Sequence, residues 1–263
     1  MPARVQLRLL PLLTIPLALG TIDLQSRHVA ATAPDAARHE PASQPFAVAE
    51  LFVELNDTDS DLGLHASIDG GTWTSLEVEG PRERQLLGIV SKGRLRSQGL
   101  TQLAFESAEP SFEDLDPETF FRRFPEGVYE IEALAQGGGT FESRVRLSHV
   151  LAAPPQATVS GLAAADSCDA ATLPEVESPV LIDWDPVTAS HPEVGKAGPV
   201  TVSRYQFFVE QGAVKLSLDL PPTVTEFEIP TSITAAGGQF KFEIIARTST
   251  GNNTAMESCF VMR

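Results

Sequence analysis

The sequence predicts an all-β protein, two β-sandwich domains in tandem, the first with one short inserted helix. Three observations predict it. From Leu51 onward apolar residues recur at every second position, the signature of half-buried strands. Gly and Pro number 39 of 263 residues, about 15% against an average near 12%, in a chain poor in long helical patterns. The two strand series are divided by Ala152-Ala153-Pro154-Pro155, which reads as an interdomain linker. The length allows one or two domains at roughly 100–200 residues each. The 42% hydrophobic share is enough for a packed core and too high for a wholly disordered chain.

Residues 1–20 read as an export signal. Arg4 and Arg8 give a positive start, and Leu9 to Leu19 form an apolar stretch too short to span a bilayer, which needs about 20 apolar residues. Pro11 and Pro16 argue against a buried core helix. Ala18 and Gly20 offer one cleavage site, Val29 and Ala31 a second. No second spanning run follows, the C-terminus carries no hydrophobic tail, and no cysteine follows the apolar stretch for acylation. The expectation is an exported chain, secreted or periplasmic, with no membrane span. Residues 21–46 are rich in Ala, Pro, Ser and charge without periodicity, and read as a flexible lead-in.

The first β-sandwich domain is expected over residues 47–152. Leu51, Val53 and Leu55 mark one strand face, and Leu62, Leu64, Ala66 and Ile68 a second that ends in the turn Asp69-Gly70-Gly71. Trp73, Leu76 and Val78 begin a third, Leu87, Ile89 and Leu95 lie in a fourth region, and Leu103 and Phe105 suggest another before Pro110. Asp116-Pro117 is an N-cap followed by proline at the first helical position, which predicts a helix from Pro117 to Phe124. Phe120 and Phe124, one turn apart, would pin it to the sheet, and Pro125 stops it. A hairpin follows, turning at Gln136 to Gly139, in which the alternation pairs Glu132 with Arg144 and Glu130 with Arg146. Asn56-Asp57-Thr58-Asp59-Ser60-Asp61-Leu62-Gly63 and Gly99-Leu100-Thr101 resemble a module of uncharacterised exported bacterial proteins, a resemblance that implies no known activity.

The second domain is expected over residues 156–263. Val180, Ile182 and Trp184 alternate, as do Tyr205, Phe207 and Val209, then Val214, Leu216 and Leu218, and then Phe240, Phe242, Ile244 and Ala246. With Val159, Phe227–Ile229 and Met256–Met262, this makes about seven strands, the size of an immunoglobulin-like sandwich. Ile182-Asp183-Trp184-Asp185-Pro186-Val187 resembles the second-strand tryptophan motif of fibronectin type III domains, and Arg204 to Val209 their third strand. Thr225 to Pro230 is similar to their approach to the E–F corner, and Phe240 to Ala246 followed by Gly251-Asn252 to their sixth strand and its turn. The resemblance implies a spacer or adhesion surface. It departs in having Phe240 or Phe242 where the corner tyrosine usually stands, and in a long stretch from Gly161 to Pro179. No Arg-Gly-Asp tripeptide is present.

The formal net charge of −16 excludes a general nucleic-acid binder, which needs a dense basic surface. Cys168 and Cys259 fit an oxidising compartment, where two cysteines in one chain commonly pair; the alternative is two buried free thiols. No CxxC or Cys/His cluster suggests a structural zinc site. The best metal candidate is the acidic loop Asn56, Asp57, Asp59 and Asp61, whose alternating oxygen ligands suit a hard cation such as calcium. An EF-hand is excluded, because with Asp57 first, position 6 is Leu62 and position 12 is Ile68. The competing reading is a solvated turn rich in Asp and Asn, which favour turns through local hydrogen bonds. Arg82, Arg84, Lys92, Arg94 and Arg96 form a basic run, with Lys92, Arg94 and Arg96 on one face if that stretch is a strand, suited to an anionic polysaccharide or to neighbouring carboxylates such as Glu77 and Glu79.

No Gly-x-Ser-x-Gly elbow, His-Glu-x-x-His helix or phosphate loop is present, so no catalytic residue is assigned. The five histidines read as structural or solvated. The expectation is a non-catalytic exported binding or adhesion-type protein with an unknown protein or polysaccharide partner. The alternative is a carbohydrate-active enzyme or accessory module with its site on the N-terminal β-domain.

Overall fold

The computed structural model describes residues 43–263. The expected export signal and the lead-in up to residue 42 lie outside the described residues. The first half comprises β1 (Val48–Asn56), β2 (Asp61–Gly80), β3 (Arg84–Val90), α1 (Gly93–Gln98), β4 (Leu100–Glu106), α2 (Pro117–Arg123), β5 (Gly127–Ala135) and β6 (Thr140–Leu147). The second comprises β7 (Ala157–Val159), β8 (Leu162–Ala163), β9 (Glu175–Val176), β10 (Val180–Trp184), β11 (Val202–Gln211), β12 (Val214–Leu220), β13 (Glu226–Ile229), α3 (Thr231–Thr234), β14 (Gly238–Thr248) and β15 (Asn253–Met262). The protein is all-β, as the alternation requires.

Each half keeps its own core. Leu51, Val53, Leu55, Leu64, Ile68, Trp73, Val78 and Ile131 are buried together in the first. Trp184, Tyr205, Phe207, Phe240, Phe242 and Phe260 are buried in the second. The sheets are not separate. One eleven-stranded sheet runs β12-β11-β14-β15-β1-β2-β5-β6, with β3 and β4 added to β2 and β9 to β15. The halves join where β1 and β15 pair in parallel, Glu54 opposite Asn253 and Asn56 opposite Ala255. A second sheet, β13-β10-β7-β8, closes the second half into a sandwich.

Several local expectations change. Gln44 to Phe46, assigned to the flexible lead-in, are held against β6. The Gln44 amide donates to Thr140 O at 3.0 Å, and Phe46 is buried beside Phe141 at 5.5 Å between ring centres. Asp69-Gly70-Gly71 is not a turn but the middle of the single strand β2. A Cβ on Gly70 would lie 3.0 Å from the Phe46 ring, and one on Gly71 2.6 Å from the Phe141 ring. The glycines mark a close approach of two aromatic rings to a strand, the other common use of glycine in a sheet. Here β2 changes partners: its first part pairs with β1 and β4, its second with β3 and β5.

The hairpin β5–β6 slides by two residues, putting Glu130 opposite Arg144 and Glu132 opposite Glu142. The Ala135 amide donates to Gly139 O at 3.1 Å, closing the loop one residue earlier on each side. An even shift leaves every side chain on its expected face, so the alternation alone did not distinguish the two registers. The helix α2 follows its signals. Asp116 accepts from the Thr119 amide at 2.9 Å, Phe120 is buried, and the Phe120 and Phe124 rings meet edge-on at 5.0 Å.

The expected linker is pinned rather than free. Leu151 belongs to the first core and its neighbour Ala152 to the second. The Leu151 carbonyl accepts from the His191 amide at 2.9 Å, and Ala153 donates to Ala189 O at 2.9 Å. The buried side chain of Asn252 fastens the same corner, accepting from Val53 N at 2.9 Å and donating to Ser148 O at 2.8 Å and Val150 O at 3.1 Å. Cys168 and Cys259 form a disulfide across 91 residues, tying the long Gly161–Pro179 stretch to β15.

Candidate functional site

Strand alternation builds one continuous polar face across the junction. In β1, Leu51, Val53 and Leu55 enter the core, so Phe52, Glu54 and Asn56 point outward. The register brings His65, Gly63 and Asp61 of β2 beside them, and Glu106 of β4 opposite His65. On the other side lie Asn253 and Glu257 of β15, then Arg247 and Glu243 of β14. After β4 the chain is anchored back on β2: the Leu64 amide donates to Ser107 Oγ at 2.9 Å, and the Ser107 amide to Leu64 O at 3.0 Å. This return lays Glu109 over Gly63. A Cβ on Gly63 would sit 1.8 Å from Glu109 Oε1, so glycine is what admits the carboxylate.

His65 Nε2 lies 2.7 Å from Glu109 Oε1. Its ring stacks on Phe52 at 5.4 Å, and the Arg247 guanidinium sits 4.5 Å from the Phe52 ring centre, held by Glu50 at 2.8 Å. Among the described residues, His65, Glu106 and Glu109 are the group of metal-ligating side chains whose donor atoms lie within 4.8 Å of one another.

The face concentrates negative charge. Burial, then Glu109 and other carboxylates, push Asp61 up to about 6. Burial and the neighbouring charge of Glu257 push Glu243 up to about 7. Burial also raises Glu109, while the hydrogen bond to His65 opposes that shift. Lys241 offsets part of this charge through Glu257 at 2.6 Å.

The predicted loop residues divide among different partners. Asn56 Oδ1 accepts from the amides of Thr58 at 3.2 Å and Asp59 at 3.3 Å, and its Nδ2 donates to Asp59 Oδ2 at 3.1 Å. This is an Asx turn. Asp57 reaches into the second half and accepts from His191 Nε2 at 2.8 Å. His191 Nδ1 accepts from the amides of Glu193 and Val194, so the ring proton is on Nε2. Asp61 is exposed to the charge of Glu109, and its Oδ1 is buried without a hydrogen-bond partner. Sequence reasoning missed the His65, Glu106 and Glu109 group, because only the pairing of two strands 40 residues apart unites it.

The basic run is also divided. Arg82 and Arg84 lie at the β2–β3 turn, while Lys92, Arg94 and Arg96 lie at the other end of β3, on and beside α1. That stretch is a helix rather than a strand, so its cations do not share one strand face. Gly99 N donates to Leu95 O at 2.7 Å, closing the helix, and Gln136 Nε2 donates to Ser97 O. No residue of α1 is buried. Leu95 is 55% exposed, and Val90 at the end of β3 is exposed as well. Among the described residues none of these five cations forms an ion pair within 4.0 Å, including with Glu77 and Glu79.

Of the remaining histidines described, His149 donates from Nε2 to Phe124 O at 2.7 Å, and burial lowers its pKa. No helix among the described residues is long and apolar enough to cross a membrane.

No protein-family model matches the chain, and no curated protein matches it. Solved structures that it resembles include that of a 1.5-MDa bacterial ice-binding adhesin, described for host cell surface retention, at TM-score 0.24 and 10% identity. Another is a tetra-tandem repeat in the extending region of a large adhesion protein, at TM-score 0.24 and 12% identity. A third is the human OSCAR ligand-binding domain, at TM-score 0.25 and 10% identity. The matches cover 84%, 82% and 84% of this chain and span 65%, 50% and 100% of those chains.

Proposed function

We propose that this chain is an exported binding protein of the adhesion type, in which the second half is a fibronectin type III-like scaffold and the first half presents the contact surface. The disulfide between Cys168 and Cys259 supports an extracellular setting. The division of the second half into β13-β10-β7-β8 and a facing β12-β11-β14-β15 supports the scaffold reading. The observation that carries the binding role is α1, a helix burying none of its residues and displaying Lys92, Arg94 and Arg96 around exposed Leu95. On a chain of net charge −16, cations without carboxylate partners form a surface complementary to an anionic polymer. The partner class is an acidic polysaccharide.

The test is retention of the full chain on immobilised polygalacturonate and on a neutral glucan, with a salt gradient. Salt-sensitive retention on the acidic polymer, lost in the triple variant K92A/R94A/R96A, is expected. Equal retention of that variant, or binding to the neutral glucan alone, overturns the reading. Release of reducing ends from either polymer supports the carbohydrate-active enzyme instead.

A further inference from the structure

We propose that His65, Glu106 and Glu109 bind a divalent transition-metal ion, with zinc the best fit, on the outer face of the first half. This site is separate from the α1 surface, and it stands or falls independently of the polysaccharide reading.

The donors are an imidazole nitrogen and two carboxylates, within 4.8 Å of one another. Zinc bonds to nitrogen and oxygen are about 2.0–2.2 Å, which puts tetrahedral donor atoms about 3.3–3.5 Å apart. The ion would replace the His65–Glu109 hydrogen bond, widening that 2.7 Å pair while Glu106 moves inward. Small torsional changes of the two glutamates do both, because Glu106 is exposed and Glu109 is only partly buried. Nitrogen ligation favours zinc, copper or nickel over calcium, which takes six to eight oxygens. Two carboxylates neutralise the charge of a divalent ion.

The surroundings hold the donors in place. The ring of His65 is fixed by its stacking on Phe52, itself capped by Arg247. Glu109 is admitted by Gly63, and the chain that carries it is anchored by the two Leu64–Ser107 hydrogen bonds. Asp61 supplies a second observation. Its buried Oδ1 is an acceptor with no protein donor, on the strand that also carries Gly63 and His65. A water on the metal is the kind of donor such an orphan acceptor takes. Three protein ligands leave at least one position for such a water, or for a donor group from a partner.

The experiment uses the untagged full-length chain, stripped with chelator and titrated with zinc chloride by calorimetry, with cobalt(II) absorption as a second readout. One ion per chain is expected, with an intense visible cobalt band. Even residues that merely support a ligand cost about 10–100-fold in affinity when replaced, so E106Q and H65Q should each weaken zinc at least tenfold. E106Q changes an exposed side chain, so its metal-free melting temperature reports whether the fold is intact. Absence of both heat and cobalt band overturns the proposal. So does zinc binding that neither variant weakens, or preferential calcium binding abolished by N56A/D59N, which would place the ion in the Asn56–Asp61 loop.

Discussion

The two halves solve the same packing problem in different ways. The second encloses its aromatic core between two sheets and adds a disulfide. The first bends one long strand, β2, around its core and leaves Val48, Val90, Leu95, Val128 and Leu134 exposed, whereas the second exposes only Leu162 and Val214 among its large apolar residues. Both candidate sites, α1 and the His65 group, lie in the first half. The difference teaches that one half is built to be closed and the other to display side chains, on a sheet they share. Each half contains one of the two tryptophans, Trp73 in the first core and Trp184 in the second, so each can be followed by its own fluorescence in a W184F or W73F background.

The largest expected effect is loss of the disulfide. A closed loop of 91 residues contributes about 4–5 kcal/mol in the chain-entropy description. C168S/C259S should lower the urea midpoint of both tryptophan signals together, because Cys259 lies in β15, the strand that joins the halves. A fall confined to Trp184 would show that the shared sheet does not couple them.

Asn252→Ala attacks the junction itself. It leaves Val53 N–H, Ser148 O and Val150 O without their side-chain partner, at a cost of at least about 2 kcal/mol. The Trp73 and Trp184 transitions, which the shared sheet should make coincident in the parent, should separate. Coincident transitions in the variant would mean that the β1–β15 hydrogen bonds alone are sufficient.

A smaller effect separates the polar face from the cores. Glu243 is raised from 4.5 to about 7 in the folded state, so the native protein holds this proton more tightly than the unfolded chain. Its contribution favours folding at low pH and is lost as pH rises from about 4.5 to about 7. Asp61 acts in the same direction between 3.8 and about 6. Glu243→Gln should flatten that part of the stability profile and stabilise the protein at pH 8 by on the order of 2 kcal/mol. Urea melts at pH 5 and pH 8 measure it, and an unchanged pH slope would contradict the shift.

Much of the strand content was legible because burial writes itself as alternation. Leu62 to Ile68, Tyr205 to Val209 and Phe240 to Ala246 all face the cores as their spacing requires. The helix α2 was legible from Asp116 and Pro117, whose preferences are local. What escaped depends on partners distant in sequence. Gly70 and Gly71 look like a turn until Phe46 and Phe141 arrive above them. An even slip of a hairpin preserves every face, so Glu132 gave no sign that it would meet Glu142. The acidic loop announced itself by composition, but His191, which holds Asp57, and Glu109, whose charge bears on Asp61, come from other parts of the chain. The His65 group has no local signature at all.

The parallel pairing of β1 with β15 has a mechanical consequence. Parallel neighbours run the same way, so tension applied ahead of β1 and beyond β15 pulls the two strands in opposite directions along their common axis. The bonds around Glu54, Leu55 and Asn56, together with the Asp57 amide on Ala255 O at 3.0 Å, are then loaded simultaneously in shear instead of being peeled one by one. The seam between the halves therefore resists a stretching force collectively.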